Sequence, residues 1–345
     1  MANYVDYVKT NQKSFKEKPL NEVDSLIFSC LSYFHFTHLT FKTKIKNLNP
    51  TLDLIIQKNK RGISLLKEVI KSKRFNEVEI IFSHEDTNEK EDKQFSATTF
   101  LLPNNEMYIA FRGTDATLTG WEEDFNMAFM LPVPSQKEAL KYTNKIISVI
   151  PRKFYLGGHS KGGNLSVYTA SMLKDTTNLI KVYSHDGPGF LKEFLTSSNY
   201  LKITPKLEKT VPSSSIIGML LYANEHYKII KSSNKGILEH DPNSWLVVDD
   251  HFYTLKKLDD GTTYTNKIIN DFINTLTKEE RLNFIESLFK ILKSTNLTTL
   301  DEIAKSWYYK FPVMLKTLNK FDKKEKSYLY KTLKVLIITI LKNSI

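Results

Sequence analysis

The chain has 345 residues, of which 41% are hydrophobic and 25% are charged, a length and composition that allow a full hydrophobic core. Its only cysteine is Cys30, which excludes an internal disulfide and a cysteine-based metal site and favours a reducing compartment. The formal net charge is +11, but lysines are mixed with Asp and Glu along the whole chain. We interpret the charge as a solvated basic surface, which argues against a nucleic-acid-binding protein.

The two ends of the chain favour a protein without membrane insertion. Residues 1–20 mix charged and apolar residues and lack the apolar stretch of a secretory signal, so a cytoplasmic protein is expected. Near the C-terminus the longest apolar run, residues 335–341, is too short to span a bilayer.

The first part of the chain, residues 1–74, carries helical signals. Asn21 and Asp24 precede one apolar pattern with helical spacing and Ile63 begins another, so this part is predicted to be a helical cover for a sheet. The pattern then changes to that of strands, which we predict at residues 77–83, 95–102 and 107–111. A tight turn at residues 103–105 joins the last two strands.

Strands and helices alternate in the next part of the chain, which is typical of a mostly parallel sheet with right-handed crossovers. The predicted helices lie at residues 121–130, 135–150 and 163–168. The predicted strands lie at residues 154–156, 180–184, 213–222 and 227–231, and residues 245–248 are predicted to close the sheet edge.

After Gly261 the pattern is helical throughout, with a capping-box signature at Thr277 and Glu280. We therefore predict an α/β-hydrolase domain with a helical N-terminal cover over residues 1–261, and a helical C-terminal extension over residues 262–345 that packs on it. The apolar stripes of the extension are interpreted as core-facing, with an amphipathic membrane-surface role as the alternative. These stripes include Phe311, Leu315, Leu333 and Ile337.

Residues 158–162 read G-H-S-K-G, the G-x-S-x-G pattern in which a sharp strand-to-helix turn presents a nucleophilic serine. Flanking glycines are needed because the serine is strained and a Cβ beside it would collide with the strand or the helix. A chance match in an unrelated loop is the alternative, since the pattern is short. The predicted strand before it and helix after it favour a nucleophile elbow with Ser160 as the nucleophile.

A nucleophilic serine needs a base and an acid, which follow it in α/β-hydrolases in the order serine, acid, histidine. His240 lies in a loop after the last clear strands and is the predicted base, with His251 as the alternative. Asp186 ends the predicted strand after the elbow helix and is the predicted acid. Asp241 is the alternative acid, because it adjoins the proposed base.

Acyl transfer also needs hydrogen-bond donors for the developing oxyanion. The first predicted donor is the backbone N–H of Lys161, at the start of the helix after the nucleophile, where the helix dipole favours negative charge. The second is Thr114, which Gly113 would allow to turn toward the site. A plain turn at the strand end is the alternative interpretation of Thr114.

The segment AFRGTDATLTGWEEDFNM, residues 110–127, resembles the strand, oxyanion turn and W-x-x-D helix of class 3 lipases, in which GHSxGG follows downstream. More closely, the chain resembles the bacterial Mbeg-like α/β-hydrolases through the motifs NEVD, GHSKGGN, DGPGF, SSIIGMLL and HDPNSW. The resemblance implies a lipase-like α/β fold, a mostly parallel sheet with helices on both faces. It also implies Ser160 as nucleophile, His240 as base, and Thr114 with Lys161 as oxyanion donors.

The chain departs from the class 3 lipases at residues 208–212, where E-K-T-V-P stands in place of their acid-bearing D-x-V-P. Asp186, one strand earlier, is therefore retained as the predicted acid. Trp121 and Phe125 lie at helical spacing after the oxyanion turn, with Glu122 and Glu123 predicted on the opposite side of that helix. The matching segment is a lid in class 3 lipases, and packing of the apolar side on the core is the alternative.

These observations predict a serine hydrolase that cleaves a small-molecule or lipid carboxylic ester through an acyl-enzyme. No metal or organic cofactor is required and no nucleic acid is expected as a partner. The first alternative is a non-catalytic α/β-hydrolase fold that binds a partner or makes peripheral contact with a membrane, which a missing catalytic acid would favour. The second is phosphate-ester binding at the start of the elbow helix, aided by Lys161.

Overall fold

A computed structural model describes residues 2–49, 55, 62–115, 117–223 and 226–343. The chain forms two compact units, each built from three segments. The first unit comprises Met1–Asp86, Phe95–Gly113 and Ser135–Thr262. The second unit comprises Thr87–Gln94, Thr114–Pro134 and Thr263–Ile345. The helical region predicted from residue 262 onward thus shares its unit with two earlier segments, which the sequence did not indicate.

Within the described residues, nine strands form the central sheet. In their order across the sheet, they are β1 Thr43–Lys44, β2 Glu79–Asn88, β3 Lys93–Leu101, β4 Met107–Phe111, β5 Phe154–His159, β6 Leu179–His185, β7 Leu207–Pro212, β8 Tyr227–Ile230 and β11 Thr254–Leu255. Two further short strands, β9 Val247–Val248 and β10 His251–Phe252, form a separate antiparallel pair.

α-Helices precede, connect and follow these strands along the chain. In the first half of the chain they are α1 Tyr4–Thr10, α2 Glu22–Leu31, α3 Ile63–Lys71, α4 Leu118–Asn126, α5 Pro134–Val149 and α6 Lys161–Met172. In the second half they are α7 Lys192–Leu195, α8 Ser198–Leu201, α9 Asp260–Thr275, α10 Lys278–Lys293, α11 Leu300–Lys320 and α12 Lys323–Asn343. None of these described helices combines the length and the apolar character that crossing a bilayer requires.

The centre of the sheet is parallel, as predicted. Strands β4 to β8 run parallel to one another, with antiparallel strands at both edges. His159 at the end of β5 is the register partner of His185 at the end of β6, and His185 is in turn the partner of Thr210 in β7. Because these ends lie side by side, the residues that follow β5 and β6 meet at one edge of the sheet.

Helices cover both faces of this sheet, as the lipase-like fold predicts. A Cβ on Gly157 would lie 3.2 Å from Ser25 of α2, whereas a Cβ on Gly158 would lie 2.3 Å from the backbone of Gly162 in α6. Successive residues of a strand point to opposite faces. Helices α2 and α6 therefore pack on opposite sides of β5.

The NEVD motif at residues 21–24 has a structural role. The Asn21 side chain accepts hydrogen bonds from the amides of Val23 and Asp24, and the Asp24 carboxylate accepts one from the Asn21 amide, which closes a capping box. The same carboxylate pairs with Arg74, and both side chains are fully buried. Removing one partner of a buried ion pair costs about 3–5 kcal/mol, so this pair fixes α2 to the segment that follows α3 within the helical cover.

Two predicted strands are wrong. Residues 213–222 form no strand, because Ser213, Ser214 and Ser215 turn their side chains onto polar groups and a short 3-10 helix follows at Ile217–Met219. Residues 245–248 do not close the sheet edge either, since β9 pairs with β10 and β11 takes the edge position beside β8.

In the second unit, the predicted capping box of α10 is confirmed, with Thr277 and Glu280 as its reciprocal partners. The polarity predicted for α4 is wrong for its two glutamates, whereas Trp121 packs against the apolar cluster of this unit, as one of the two interpretations expected. Glu122 and Glu123 are both buried, whereas Phe125 is 42% exposed. The Glu122 carboxylate pairs with Lys293, and the Glu123 carboxylate accepts a hydrogen bond from the backbone amide of Gln94. Paired carboxylates can be buried where an apolar pattern alone predicts exposure.

The apolar stripes predicted for the last two helices face the core only in part, since Leu329 in α12 is buried and Leu318 in α11 is half-buried. Phe311 and Leu315 in α11, and Leu333 and Ile337 in α12, are all exposed. The apolar core of this unit instead centres on Leu118, Phe129, Ile285, Phe289 and Ile303.

Candidate active site

Ser160 occupies the sharp turn between β5 and α6. Its backbone has φ 57° and ψ −131°, a strained conformation for a residue with a Cβ, which costs of the order of 1–3 kcal/mol. The Ser160 amide donates to the His185 carbonyl at 2.9 Å, and the Ser160 carbonyl accepts from the Gly163 amide at 2.9 Å. These two bonds tie the strained residue to the neighbouring strand and to the first turn of the helix.

The glycines on either side of Ser160 are required by close backbone contacts. A Cβ on Gly158 would lie 2.3 Å from the Gly162 carbonyl carbon, and a Cβ on Gly162 would lie 2.1 Å from the Phe111 carbonyl oxygen. Both distances are far below van der Waals contact, and the clashing atoms are backbone atoms that cannot rotate away. The G-x-S-x-G spacing thus follows from how tightly β5, α6 and β4 approach one another.

His240 and Asp186 form a close pair beside this turn. His240 Nδ1 lies 2.6 Å from Asp186 Oδ2. Asp186 is fully buried, whereas the His240 side chain is 28% exposed. Asp186 has φ 49°, and its amide donates to the Thr210 carbonyl at 2.7 Å, which fixes the carboxylate at the end of β6.

Two residues that the sequence did not single out hold the other oxygen of Asp186. The Ser215 hydroxyl donates to Asp186 Oδ1 and accepts from the Gly218 amide at 3.0 Å. A Cβ on Gly218 would lie 2.2 Å from Asp186 Oδ1, so only glycine fits at this position. Both residues belong to the SSIIGMLL motif, which carried the family resemblance without an assigned role.

His159, the residue before Ser160, holds the His240 backbone in place. Its Nε2 donates to the His240 carbonyl at 2.9 Å, and the two rings lie 4.5 Å apart. Burial, together with the nearby His240 and His185, lowers the pKa of His159 well below its usual value. A neutral His159 with its proton on Nε2 therefore fits this bond, and the Tyr33 hydroxyl approaches its Nδ1 at 3.5 Å.

Glu239 anchors the loop that carries His240. Its buried carboxylate accepts a hydrogen bond from the Ser214 amide at 2.8 Å and one from the Ser213 hydroxyl at 3.1 Å. Its carbonyl accepts from Trp245 Nε1 at 2.7 Å. The three consecutive serines therefore position both the Asp186 carboxylate and the loop next to it. No local pattern in the sequence indicated this role for a glutamate beside the histidine.

We expect Glu239→Gln to lower the free energy of unfolding by about 1–3 kcal/mol, because an amide nitrogen would face donors that now find a carboxylate oxygen. Urea unfolding of the purified protein measures this change. Glu193→Gln is the matched control, since Glu193 is exposed, and its unfolding midpoint should not move. Equal midpoints for the two variants would show that Glu239 does not anchor the loop.

Ser160 and Asp186 directly follow the carboxyl ends of the neighbouring strands β5 and β6, and His240 contacts Asp186. The His240 ring lies against His159, the immediate neighbour of Ser160. Within the part of the chain that the structure describes, the Ser160 hydroxyl makes no hydrogen bond, so its bond to His240 is not formed. Such bonds are often long in enzymes without substrate and tighten when substrate is bound.

The two predicted oxyanion donors have different surroundings. Lys161 is the first residue of α6, at the positive end of the helix dipole. Gly113 lies against the elbow, since a Cβ on it would be 3.2 Å from the Ser160 Cβ. Thr114 belongs to the second unit, where its hydroxyl donates to Asp124, the acidic residue of the W-x-x-D motif. That motif thus holds the Thr114 side chain.

The alternative base and acid have other partners. His251 is exposed in β10, with Nδ1 at 3.5 Å from Asp250. The Asp241 carboxylate accepts from the backbone and side chain of Asn243 and caps a short 3-10 helix. Neither contact involves His240 Nδ1 or Ser160.

His185 is a buried histidine on the face of the sheet that α2 covers. Its Nε2 lies 2.8 Å from the Ser25 hydroxyl, and among the described residues its Nδ1 has no hydrogen-bond partner. Burial lowers its pKa to about 3. The ring stacks on Tyr183, so it serves as a neutral packing residue.

This burial predicts a pH dependence of stability. The folded protein keeps His185 neutral, whereas the unfolded chain protonates it near its usual pKa, so the contribution is complete above about pH 6.5 and is lost as the pH falls toward 3. One such proton changes the free energy of unfolding by up to about 1.4 kcal/mol per pH unit. We expect His185→Gln to flatten the decline measured by urea unfolding between neutral and acid pH. A decline as steep as in the unmodified protein would contradict this assignment.

One group of side chains outside this site has metal-ligand chemistry. The ligand atoms of His84, Asp86 and Glu138 lie within 4.8 Å of one another. His84 is exposed and the other two are half-buried. No other feature of the described residues there points to an ion, and no step at Ser160 requires one.

The parallel sheet with helices on both faces, and the serine at its strand-to-helix turn, define a lipase-like α/β-hydrolase fold. The chain belongs to the Mbeg1-like family, whose model matches residues 69–290. This match confirms the family resemblance that the motifs indicated. No curated protein sequence matches the chain.

Several solved lipase structures are similar to the chain. Rhizomucor miehei lipase, in its propeptide complex, is 17% identical over 46% of this chain and 58% of that chain, with a TM-score of 0.35. A triacylglycerol lipase whose catalytic centre is a serine protease triad is 14% identical over 65% and 83%, with a TM-score of 0.40. Lip2 lipase from Yarrowia lipolytica is 14% identical over 55% and 76%, with a TM-score of 0.34. The match spans less than two thirds of the Rhizomucor lipase.

Proposed function

We propose that this protein is a serine hydrolase that cleaves carboxylic esters through an acyl-enzyme. The observation that carries the proposal is the 2.6 Å contact between His240 Nδ1 and the buried Asp186 carboxylate, next to the elbow that presents Ser160. A buried carboxylate on Nδ1 holds the histidine proton there and leaves Nε2 to accept a proton. A histidine held in this way activates a serine hydroxyl that reaches its Nε2.

In the proposed reaction, Ser160 Oγ forms a bond to the ester carbonyl carbon while its proton passes to His240 Nε2. The Lys161 amide stabilises the oxyanion of the tetrahedral intermediate, and Thr114 is the predicted second donor. The bond between the carbonyl carbon and the alcohol oxygen then breaks, and His240 gives its proton to the departing alcohol. Water attacks the acyl-enzyme by the same route and releases the carboxylic acid.

The surroundings of His240 support an ester with an apolar group. Ile237 and Leu238 stand three and two residues before His240, in the same short 3-10 helix, and both are exposed. Exposed aliphatic side chains beside a candidate site offer contact area to an acyl or alkyl chain. We therefore propose a lipid or small-molecule ester as the substrate.

Hydrolysis of p-nitrophenyl esters of increasing acyl length tests this proposal. We expect turnover of these esters, inactivation by a fluorophosphonate probe, and loss of turnover in His240→Ala. His251→Ala is the matched control and should hydrolyse the esters normally, because His251 is exposed and its side chain pairs with Asp250. Absence of both turnover and probe labelling in the folded protein would refute the proposal and leave the non-catalytic alternative.

The non-catalytic alternative was tied to a missing catalytic acid. The contact between Asp186 and His240 supplies a candidate for that acid, and it favours the enzyme.

A further inference from the structure

Among the described residues of the last two helices, nine large apolar side chains are exposed, and six of them form one stripe on each helix. The other three are Tyr309, Val313 and Ile338. In α11 the stripe comprises Tyr308, Phe311 and Leu315, and in α12 it comprises Tyr330, Leu333 and Ile337. Both sets follow the spacing i, i+3 and i+7, which places their members on one side of a helix. Tyr308 is 74% exposed and Ile337 is 58% exposed, so the stripes are open to solvent rather than buried in the unit.

Positive charge is concentrated in the same helices. Residues 300–343 contain ten lysines and four carboxylates, a formal charge of +6 out of +11 for the whole chain. Exposed Lys305 lies three residues before Tyr308, and exposed Lys334 lies four residues after Tyr330, so each shares the side of its stripe. The apolar side chains therefore stand among cations, a combination that a stripe packed on a protein core would not need.

We propose that α11 and α12 bind the surface of a membrane that contains anionic lipid. Tyrosine, phenylalanine and aliphatic side chains enter the boundary between headgroups and acyl chains, while lysines bury their aliphatic stems and keep the ammonium at the headgroup phosphates. Charge complementarity selects this occupant over a second copy of the chain, because two copies would bring like charges of +6 together. The helices lie on the surface in this arrangement and do not cross the bilayer.

Co-sedimentation with vesicles tests the proposal. The full-length protein should bind vesicles of phosphatidylcholine mixed with phosphatidylglycerol and should not bind vesicles of phosphatidylcholine alone. Binding should weaken as salt is raised, because the Debye length falls from about 10 Å at 0.1 M to about 3 Å at 1 M. Equal binding to both kinds of vesicle would contradict a role for the lysines.

Two double variants separate the apolar and the charged contributions. Phe311→Ser with Ile337→Ser should lower the partition coefficient by about tenfold or more, since two apolar side chains leave the interface. Lys305→Glu with Lys334→Glu should lower it at least as much, because each exchange replaces attraction by repulsion. The matched controls, Leu201→Ser and Lys145→Glu, are exposed positions of the first unit and should bind like the unmodified protein.

The variants also distinguish a membrane surface from an interface between copies. All four changed positions are exposed, so thermal unfolding should show no loss of fold. If light scattering found a dimer that Phe311→Ser with Ile337→Ser dissociated, and no vesicle bound, the stripe would be a contact between copies and the proposal would be wrong. Variants that bound anionic vesicles as tightly as the unmodified protein would also overturn it.

Discussion

Ser160→Ala is expected to lower the rate of ester hydrolysis by about 10⁴-fold or more and to abolish labelling by a fluorophosphonate probe. Alanine removes the attacking oxygen and nothing else, since the Ser160 hydroxyl makes no hydrogen bond within the described part of the chain. The strained backbone remains, because alanine also carries a Cβ at φ 57°. The free energy of unfolding should therefore change by less than about 1 kcal/mol.

Ser148→Ala is the matched control for this variant. Ser148 is exposed on α5, and its hydroxyl donates to the Lys145 carbonyl. Its hydrolysis and probe labelling should equal those of the unmodified protein. If Ser160→Ala kept its activity while probe labelling moved to another residue, Ser160 would not be the nucleophile.

The elbow is predictable from the sequence because its constraints are local. At Gly158 and Gly162 neighbouring backbones leave no room for a Cβ, so the turn requires glycine at both positions. The spacing of these glycines around Ser160 therefore predicts the turn. The parallel centre of the sheet is predictable for a similar reason, since strands and helices alternate in the order that the crossovers require. The position of Asp186 after β6 follows from the same alternation.

Contacts between segments that are distant along the chain cannot be predicted from local sequence patterns. Ser213, Ser214 and Ser215 give no local signal of their contacts, because the partners of their hydroxyl groups, Asp186, Glu239 and Asp259, come from other parts of the chain. The burial of Glu123 cannot be predicted from nearby residues either, because it depends on the backbone amide of Gln94, 29 residues away. Hydrophobic periodicity predicts which apolar residues are buried. It does not predict the burial of a polar residue whose hydrogen-bond partner lies in a distant segment.

The same reasoning explains the error in α11 and α12. Apolar residues at helical spacing predict that a stripe is covered, but the pattern does not say by what. Phe289 and Ile303 already fill the core of the second unit, so Phe311 and Ile337 remain outside it. The many lysines near Phe311 and Ile337 in the sequence indicate an environment other than a protein core.

Asp186→Asn is expected to lower kcat for ester hydrolysis by about 10⁴-fold with little change in KM. Asparagine keeps the size of the side chain and tolerates φ 49°, so the fold should survive. The chemistry changes, because the amide has one oxygen for two donors, the Ser215 hydroxyl and His240 Nδ1. Whichever donor loses that oxygen, the imidazolium formed during catalysis no longer faces a negative charge.

Three further variants test whether the effect of Asp186→Asn is specific to the catalytic acid. Asp249→Asn is the matched control, since Asp249 also has a positive φ of 54° but is exposed, and it should hydrolyse esters normally. Ser215→Ala should lower kcat by about tenfold and leave KM unchanged, because the carboxylate keeps its charge and loses one charge-assisted donor. If Asp241→Asn abolished hydrolysis and Asp186→Asn did not, the acid would lie in the histidine loop. The buried carboxylate at the end of β6 would then serve only to hold His240 in place.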